Sequence, residues 1–230
     1  MNISFLTSEY PSPHCGGVER VTVCLRNALE LEGHTVFLVS KYSKADLNSK
    51  EERYATLPAS GYKEETISFM EDFIKQNQIT IIVNSSHHLD IYNLLAILKN
   101  RCHFVWITAI HNDPSHILKV ISDKRESSEI SNSFSSWLLK PTYHLIDIIK
   151  YHKRKKYLSS HYKDIYEHSD AIVLLSERLK KDFLKFVGED KCGKLYGIGN
   201  PVSINADFNR CKEKVVIFVG RMEAEAKRPD

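Results

Sequence analysis

The sequence predicts a doubly wound α/β fold on a parallel sheet. Two observations carry the prediction. Short, nearly continuous apolar runs alternate with longer stretches whose apolar residues recur at helical spacing. Continuous rather than alternating apolarity is what strands covered on both faces require.

In chain order, Asn2–Thr7 (NISFLT) is the first strand. A polar Pro/Gly loop leads into a helix over 18–32, where Val18, Val21, Leu25, Ala28 and Leu29 share a face. Gly33 stops that helix, and Thr35–Ser40 (TVFLVS) is β-rich. Residues 64–78 read as a helix with Ile67, Met70, Phe73 and Ile74 on one side, and Ile79–Asn84 as a strand. Leu89–Asn100 is helical and His103–Ala109 (HFVWITA) extended. After a long irregular and helical stretch come a strand over 170–175, a helix over 177–187, and strands over 194–198 and 214–219.

Composition narrows the class. With 230 residues, 42% hydrophobic, 27% charged and 10% aromatic, the chain is neither disordered, collagen-like nor a coiled coil. No apolar run approaches the ~20 residues that span a bilayer. The N-terminus lacks a basic n-region and reaches Glu9 quickly, so it is not read as a signal peptide. Five scattered cysteines, without C-x-x-C pairs, suit reduced thiols in the cytoplasm rather than disulfides or zinc.

In such sheets ligands bind at the carboxyl ends of the strands, so the loops leaving them carry the functional reading. The first holds Gly16-Gly17 at a helix start, where backbone N–H groups could meet an anion. A plain glycine start to a helix explains it equally well. The dinucleotide fingerprint G-x-G-x-x-G is absent. His111-Asn112-Asp113-Pro114 leaves the strand over 103–109 and suits hydrogen bonding or acid–base work; a capped turn is the alternative. A metal set from His111, Asp113 and His116 is not favoured. For His87-His88 a structural or solvent-facing role is preferred. Ser176-Glu177 reads as a helix cap, and turn chemistry accounts for Gly197–Pro201. Arg221 at a strand exit and Lys227 six residues on form a cationic pair suited to a diphosphate, or a solvated charge run.

Taken in order, these pieces resemble the family 4 glycosyltransferases, retaining enzymes of GT-B architecture. The residues that carry the likeness are the opening through GGVER and GHTV, ITAIHNDP, IVLLSERLKKDF, GIGNPV and VVIFVGRMEAEAKRPD. The resemblance implies a Rossmann-like acceptor-side domain over 1–200 with a basic helical insert at about 115–163. Residues 201–230 would be the interdomain crossing and first strand–loop of a nucleotide-sugar domain. It implies that Gly16 and Gly17 meet the donor diphosphate, that His111 contacts the transferred sugar, and that Arg221 and Lys227 neutralise the leaving group. Glu19, Arg20, Asn112 and Asp113 are supporting candidates. No Asp-x-Asp occurs, so no metal and no cofactor is expected. The family's second domain and its Glu-x7-Glu motif would follow Asp230. The 230 residues are therefore expected to be a fragment, inactive alone.

The chain is +3 overall, but 137–163 alone is +6, with seven Lys/Arg against Asp147. Trp137, Lys150, Lys153, Arg154, Lys155 and Lys156 sit in this segment among Tyr143, Tyr151, Tyr157 and Tyr162. A cationic amphipathic helix with interfacial aromatics suits an anionic membrane surface. A solvated face is the bland alternative, and nucleic acid is disfavoured for want of a motif.

Two functions follow. The first is the N-terminal part of a hexosyltransferase-type retaining enzyme, moving a sugar from a nucleotide-sugar donor to a glycan or lipid-linked acceptor. The resemblance places it in bacterial surface polysaccharide biosynthesis, cytoplasmic and peripheral on the inner face of the membrane. The alternative is a non-catalytic membrane- or partner-binding remnant of that fold.

Overall fold

The computed structural model describes residues 1–12, 16–42, 53–59, 62–86, 88–116, 118–119 and 134–201, with the backbone alone for 134–145 and 147. The strand expected over 214–219, Arg221 and Lys227 lie outside the described residues.

The strands are β1 (Asn2–Thr7), β2 (Thr35–Ser40), β3 (Tyr54–Thr56), β4 (Ile81–Asn84), β5 (Val105–Ile110), β6 (Ala171–Leu174) and β7 (Leu195–Gly197). They form one sheet in the order β3-β2-β1-β4-β5-β6-β7, and every pairing is parallel. The chain winds outward from β1 to β3, then returns to β4 on the other side of β1. The topological switch therefore falls between β1 and β4, where their carboxyl ends open a crevice.

The helices are α1 (Gly17–Leu31), α2 (Glu64–Gln76), α3 (Leu89–Lys99), α4 (Phe134–His168) and α5 (Glu177–Val187). Strand register divides the core by residue parity, as a side-chain period of two demands. Ile3, Phe5, Val36 and Leu38 face one side, packed with Leu29 of α1. Leu6, Val39, Ile82, Trp106, Ile172 and Leu174 face the other, packed with α2, α3, α4 and α5. Thus β1 and β2 are buried on both faces beyond their first residue, with Ser4, Thr7 and Ser40 as buried polar members.

Local chemistry sets the helix ends. Gly33, at φ 81°, follows α1, and the His34 N–H reaches back to Leu29 O at 3.0 Å, a left-handed glycine stop. At α4 the Lys194 Nζ donates to the carbonyls of Tyr166 (3.0 Å) and Ser169 (3.0 Å), a cation where the helix dipole is negative. Asp170 joins β5 to β6: its carboxylate accepts the Trp106 N–H at 2.7 Å and pairs with Lys99. Among the described residues no helix is long and apolar enough to cross a membrane.

Candidate functional site

A cleft of about 280 Å3 opens at the carboxyl edge of the sheet. Ser85 and Ser86 after β4, the end of β5 (Ala109 and Ile110) and the loop 111–114 line it, with Val18 in the first turn of α1 beside them. Tyr92 of α3 and the face of α4 carrying Arg154, Tyr157, Leu158, His161, Tyr162 and Ile165 form the remaining walls. The loops after β1 and β4 are tied across the switch point by Ser8 Oγ and Ser86 Oγ, 3.2 Å apart. Ser86 is fixed in turn by its N–H to Asn84 Oδ1 at 3.0 Å.

His111 sits at the exit of β5, in the wall of this cleft. Both ring nitrogens are buried without a hydrogen-bond partner of good geometry. Burial pushes its pKa below the ordinary histidine value. The side chain of Asn200 favours the charged form and only partly offsets this. With Asn200 approaching one side of the ring, the neutral imidazole still has a ring nitrogen to offer, which equips it to meet a ligand hydroxyl.

The neighbours of His111 divide by what already holds them. Asp113 Oδ1 accepts from the N–H and Oγ of Ser115, both at 2.8 Å, and its other oxygen pairs with Lys119. Burial alone would raise its pKa, but Lys119 and Ser115 bring it below the usual carboxylate value. Asp113 thus caps a turn, and the exposed Asn112 is the freer polar group. Tyr162 Oη donates to Pro114 O at 3.2 Å, so α4 clamps this loop. Burial pushes the Tyr162 phenol up to about 12, keeping it a neutral donor.

Gly16 and Gly17 enter α1 at the rim. Gly16 is the N-cap in an extended conformation without a side-chain cap bond. A Cβ on Gly17 would meet nothing within 4 Å, whereas one on Gly16 would lie 2.6 Å from Glu19 Oε2. Space above Gly17 is open, and the Glu19 carboxylate folds over the first turn of the helix, a favourable end for an anion. Arg20 is exposed and does not line the cleft.

Lys150, Lys153, Arg154, Lys155 and Lys156 are all exposed on α4. Arg154 parts from the lysines by also lining the cleft. The side chain of Trp137 lies outside the described residues. Among the described residues no three His, Cys, Asp or Glu side chains converge as a metal-ligand set.

Several contacts around and beyond the site were not read from the sequence. Asn200, assigned there to turn chemistry, approaches His111. Gly197 lies so close to α5 that a Cβ would stand 2.5 Å from Glu177 N, and its N–H donates to Glu177 Oε1 at 3.2 Å. Lys41, at the end of β2 with a side chain only 7% exposed, pairs with Asp90 at 2.8 Å.

No protein-family model and no curated protein matches the chain. Among solved structures it is similar to sucrose-phosphate synthase from Thermosynechococcus elongatus, with a TM-score of 0.54 and 14% identity. That likeness covers 86% of this chain and 48% of the synthase, so the chain spans about half the length of that relative. An α-glucosyltransferase solved with UDP and a 13-mer DNA aligns at TM-score 0.48 and 13% identity, over 88% of this chain and 43% of its own. An α-glucosyltransferase solved with UDP aligns at 0.44 and 14%, over 93% and 42%. Both fall below the score at which a likeness bears on fold. The seven-stranded parallel sheet and its likeness to the synthase give the fold: a doubly wound, Rossmann-like α/β domain of GT-B type.

Proposed function

We propose that this chain is the acceptor-side part of a retaining, family 4-type glycosyltransferase. It moves a hexose from a nucleotide-sugar donor to a glycan or lipid-linked acceptor in bacterial surface polysaccharide assembly. The observation that carries the reading is the half-buried, neutral His111 in a cleft at the switch point of this fold.

In this reading His111 hydrogen-bonds a hydroxyl of the transferred sugar, with Asn112 beside it and Asn200 behind it. Its neutrality suits polar contact rather than nucleophilic attack. The open backbone at Gly17 lets the donor diphosphate approach the N–H groups of the first turn of α1. Arg221 and Lys227 compensate the charge that builds on the departing nucleoside diphosphate. Such compensation is commonly the largest electrostatic contribution to a transfer of this kind. Asp113 and Glu19 support the loops rather than the reacting atoms.

The test is donor turnover by the protein in its full reading frame. A panel of uridine-, guanosine- and adenosine-diphosphate sugars is supplied with glycan and lipid-linked acceptors, and released nucleoside diphosphate is read. We expect turnover with at least one donor, falling on the order of 100-fold or more in Arg221→Ala and Lys227→Ala. Turnover of no donor by the folded protein would contradict the reading.

The exposed lysines of α4 favour a second property of the same protein: docking on an anionic membrane that presents a lipid-linked acceptor. If that property alone survives, the chain is a non-catalytic remnant of the fold.

A further inference from the structure

Helix α4 lays a ladder of planar groups along one wall of the cleft. Arg154, Tyr157 and His161 follow at three- and four-residue intervals, which places them on one helix face. The Arg154 guanidinium stands 5.1 Å from the Tyr157 ring centroid. Tyr157 stacks on His161 with centroids 6.1 Å apart and planes 17° from parallel. Beneath them the edge of Tyr92 meets His161 at 5.0 Å and 89°. All four groups line the cleft.

The ladder grades from solvent to core. Tyr157 is 44% exposed, whereas Tyr92 is 8% exposed. His161 Nδ1 is buried with no hydrogen-bond partner. Docking α4 on the sheet does not need these groups, because Leu158 and Ile165 of the same helix, 4% and 2% exposed, supply the apolar anchor. An exposed tyrosine flanked by a guanidinium, over an imidazole with a buried, unpartnered Nδ1, is instead suited to recognise a ligand.

We infer that the Arg154–Tyr157–His161 ladder is a subsite for an anionic sugar. The C–H face of a pyranose lies on the Tyr157 ring, its phosphate or carboxylate meets the Arg154 fork, and a hydroxyl reaches His161. A neutral sugar leaves the guanidinium unused, and a free anion leaves the tyrosine uncovered. The inference rests on the proposed reading of the cleft and names the acceptor class that reading leaves open.

Calorimetric titration of the full chain with glucose 6-phosphate, glucuronate, glucose and inorganic phosphate tests it. One of the two anionic sugars should bind roughly tenfold or more tightly than either glucose or phosphate. Preference for glucose 6-phosphate assigns a phosphoryl group to the subsite, and preference for glucuronate assigns a carboxylate. Arg154→Ala should abolish the preference, and Tyr157→Ala should weaken the anionic sugar roughly tenfold. Both residues are exposed, so melting temperatures should hold and binding changes should report the site. Equal binding of all four probes, no binding by the folded wild type, or wild-type affinity in both variants would overturn the inference. Transfer with an unchanged acceptor KM in Arg154→Ala would sink the subsite and spare the proposed function. Variant-sensitive binding without turnover of any donor would do the reverse.

Discussion

His111 and His161 are half-buried imidazoles held below their ordinary pKa of 6.5 by burial, against weaker opposing contributions from Asn200 and Asp164. The unfolded chain therefore takes up protons before the folded one. Stability from this source is complete above about pH 6.5 and is lost as pH falls toward the depressed folded values. We expect the melting temperature to drop between pH 7.5 and 5, with a shallower slope in the His111→Gln/His161→Gln double variant. Identical slopes would show that these rings do not set the window. Asp113 and Asp170 act lower on the scale. Burial would raise their pKa, but their lysine partners bring it below the ordinary 3.8, so their contribution is lost only in stronger acid. Gly197 gives a prediction of another kind. The backbone of Glu177, unlike a side-chain tip, cannot step aside for a new Cβ. Gly197→Ala should cost about 1–3 kcal/mol in urea unfolding; an unchanged midpoint would mean that β7 and α5 separate readily. At this scale His111 was legible because a polar residue leaving an apolar strand stands out. Asn200 was not, because Gly-Ile-Gly-Asn-Pro is fully accounted for by local turn chemistry and only the fold brings it to His111.

Elements with long, unmixed patterns were the most readable. β1 and β2 are buried on both faces, and the apolar pairs and runs Phe5-Leu6 and Val36–Val39 announce it. β3 escaped because Tyr54–Thr56 is three half-buried residues at the sheet edge, too short for any period to register. The sequence marks the basic half of α4 plainly, since charge clusters locally; its inward face was hidden. Tyr157 reads as an interfacial aromatic among lysines, and His161 goes unremarked, until the helix turns one side of them to the cleft. The two faces of α4 thus have separate tests. Replacing Lys153, Lys155 and Lys156 with Glu should abolish co-sedimentation with vesicles of phosphatidylglycerol, at about 1 kcal/mol per lysine lost near the surface. Retention of binding by that variant would make this face merely solvated.

For the whole molecule, topology carries the account. The return of the chain across β1 puts the loops after β1, β4 and β5 at one crevice, and α4 roofs that crevice while offering lysines outward. Sequence order alone located the strand ends. It did not reveal that the basic segment and His111 share a cavity, because they lie about forty residues apart in the chain and meet only in the fold, where α4 clamps the loop after β5. The central claim is that this cleft holds a sugar during transfer with retention. The most direct measurement is the anomeric configuration of the product, followed by proton NMR during turnover by the full-frame protein and by its His111→Ala variant. The account predicts a product of the donor's own configuration, formed on the order of 100-fold more slowly by a variant that melts as the wild type does. An inverted product, or an unimpaired His111→Ala enzyme, would contradict it.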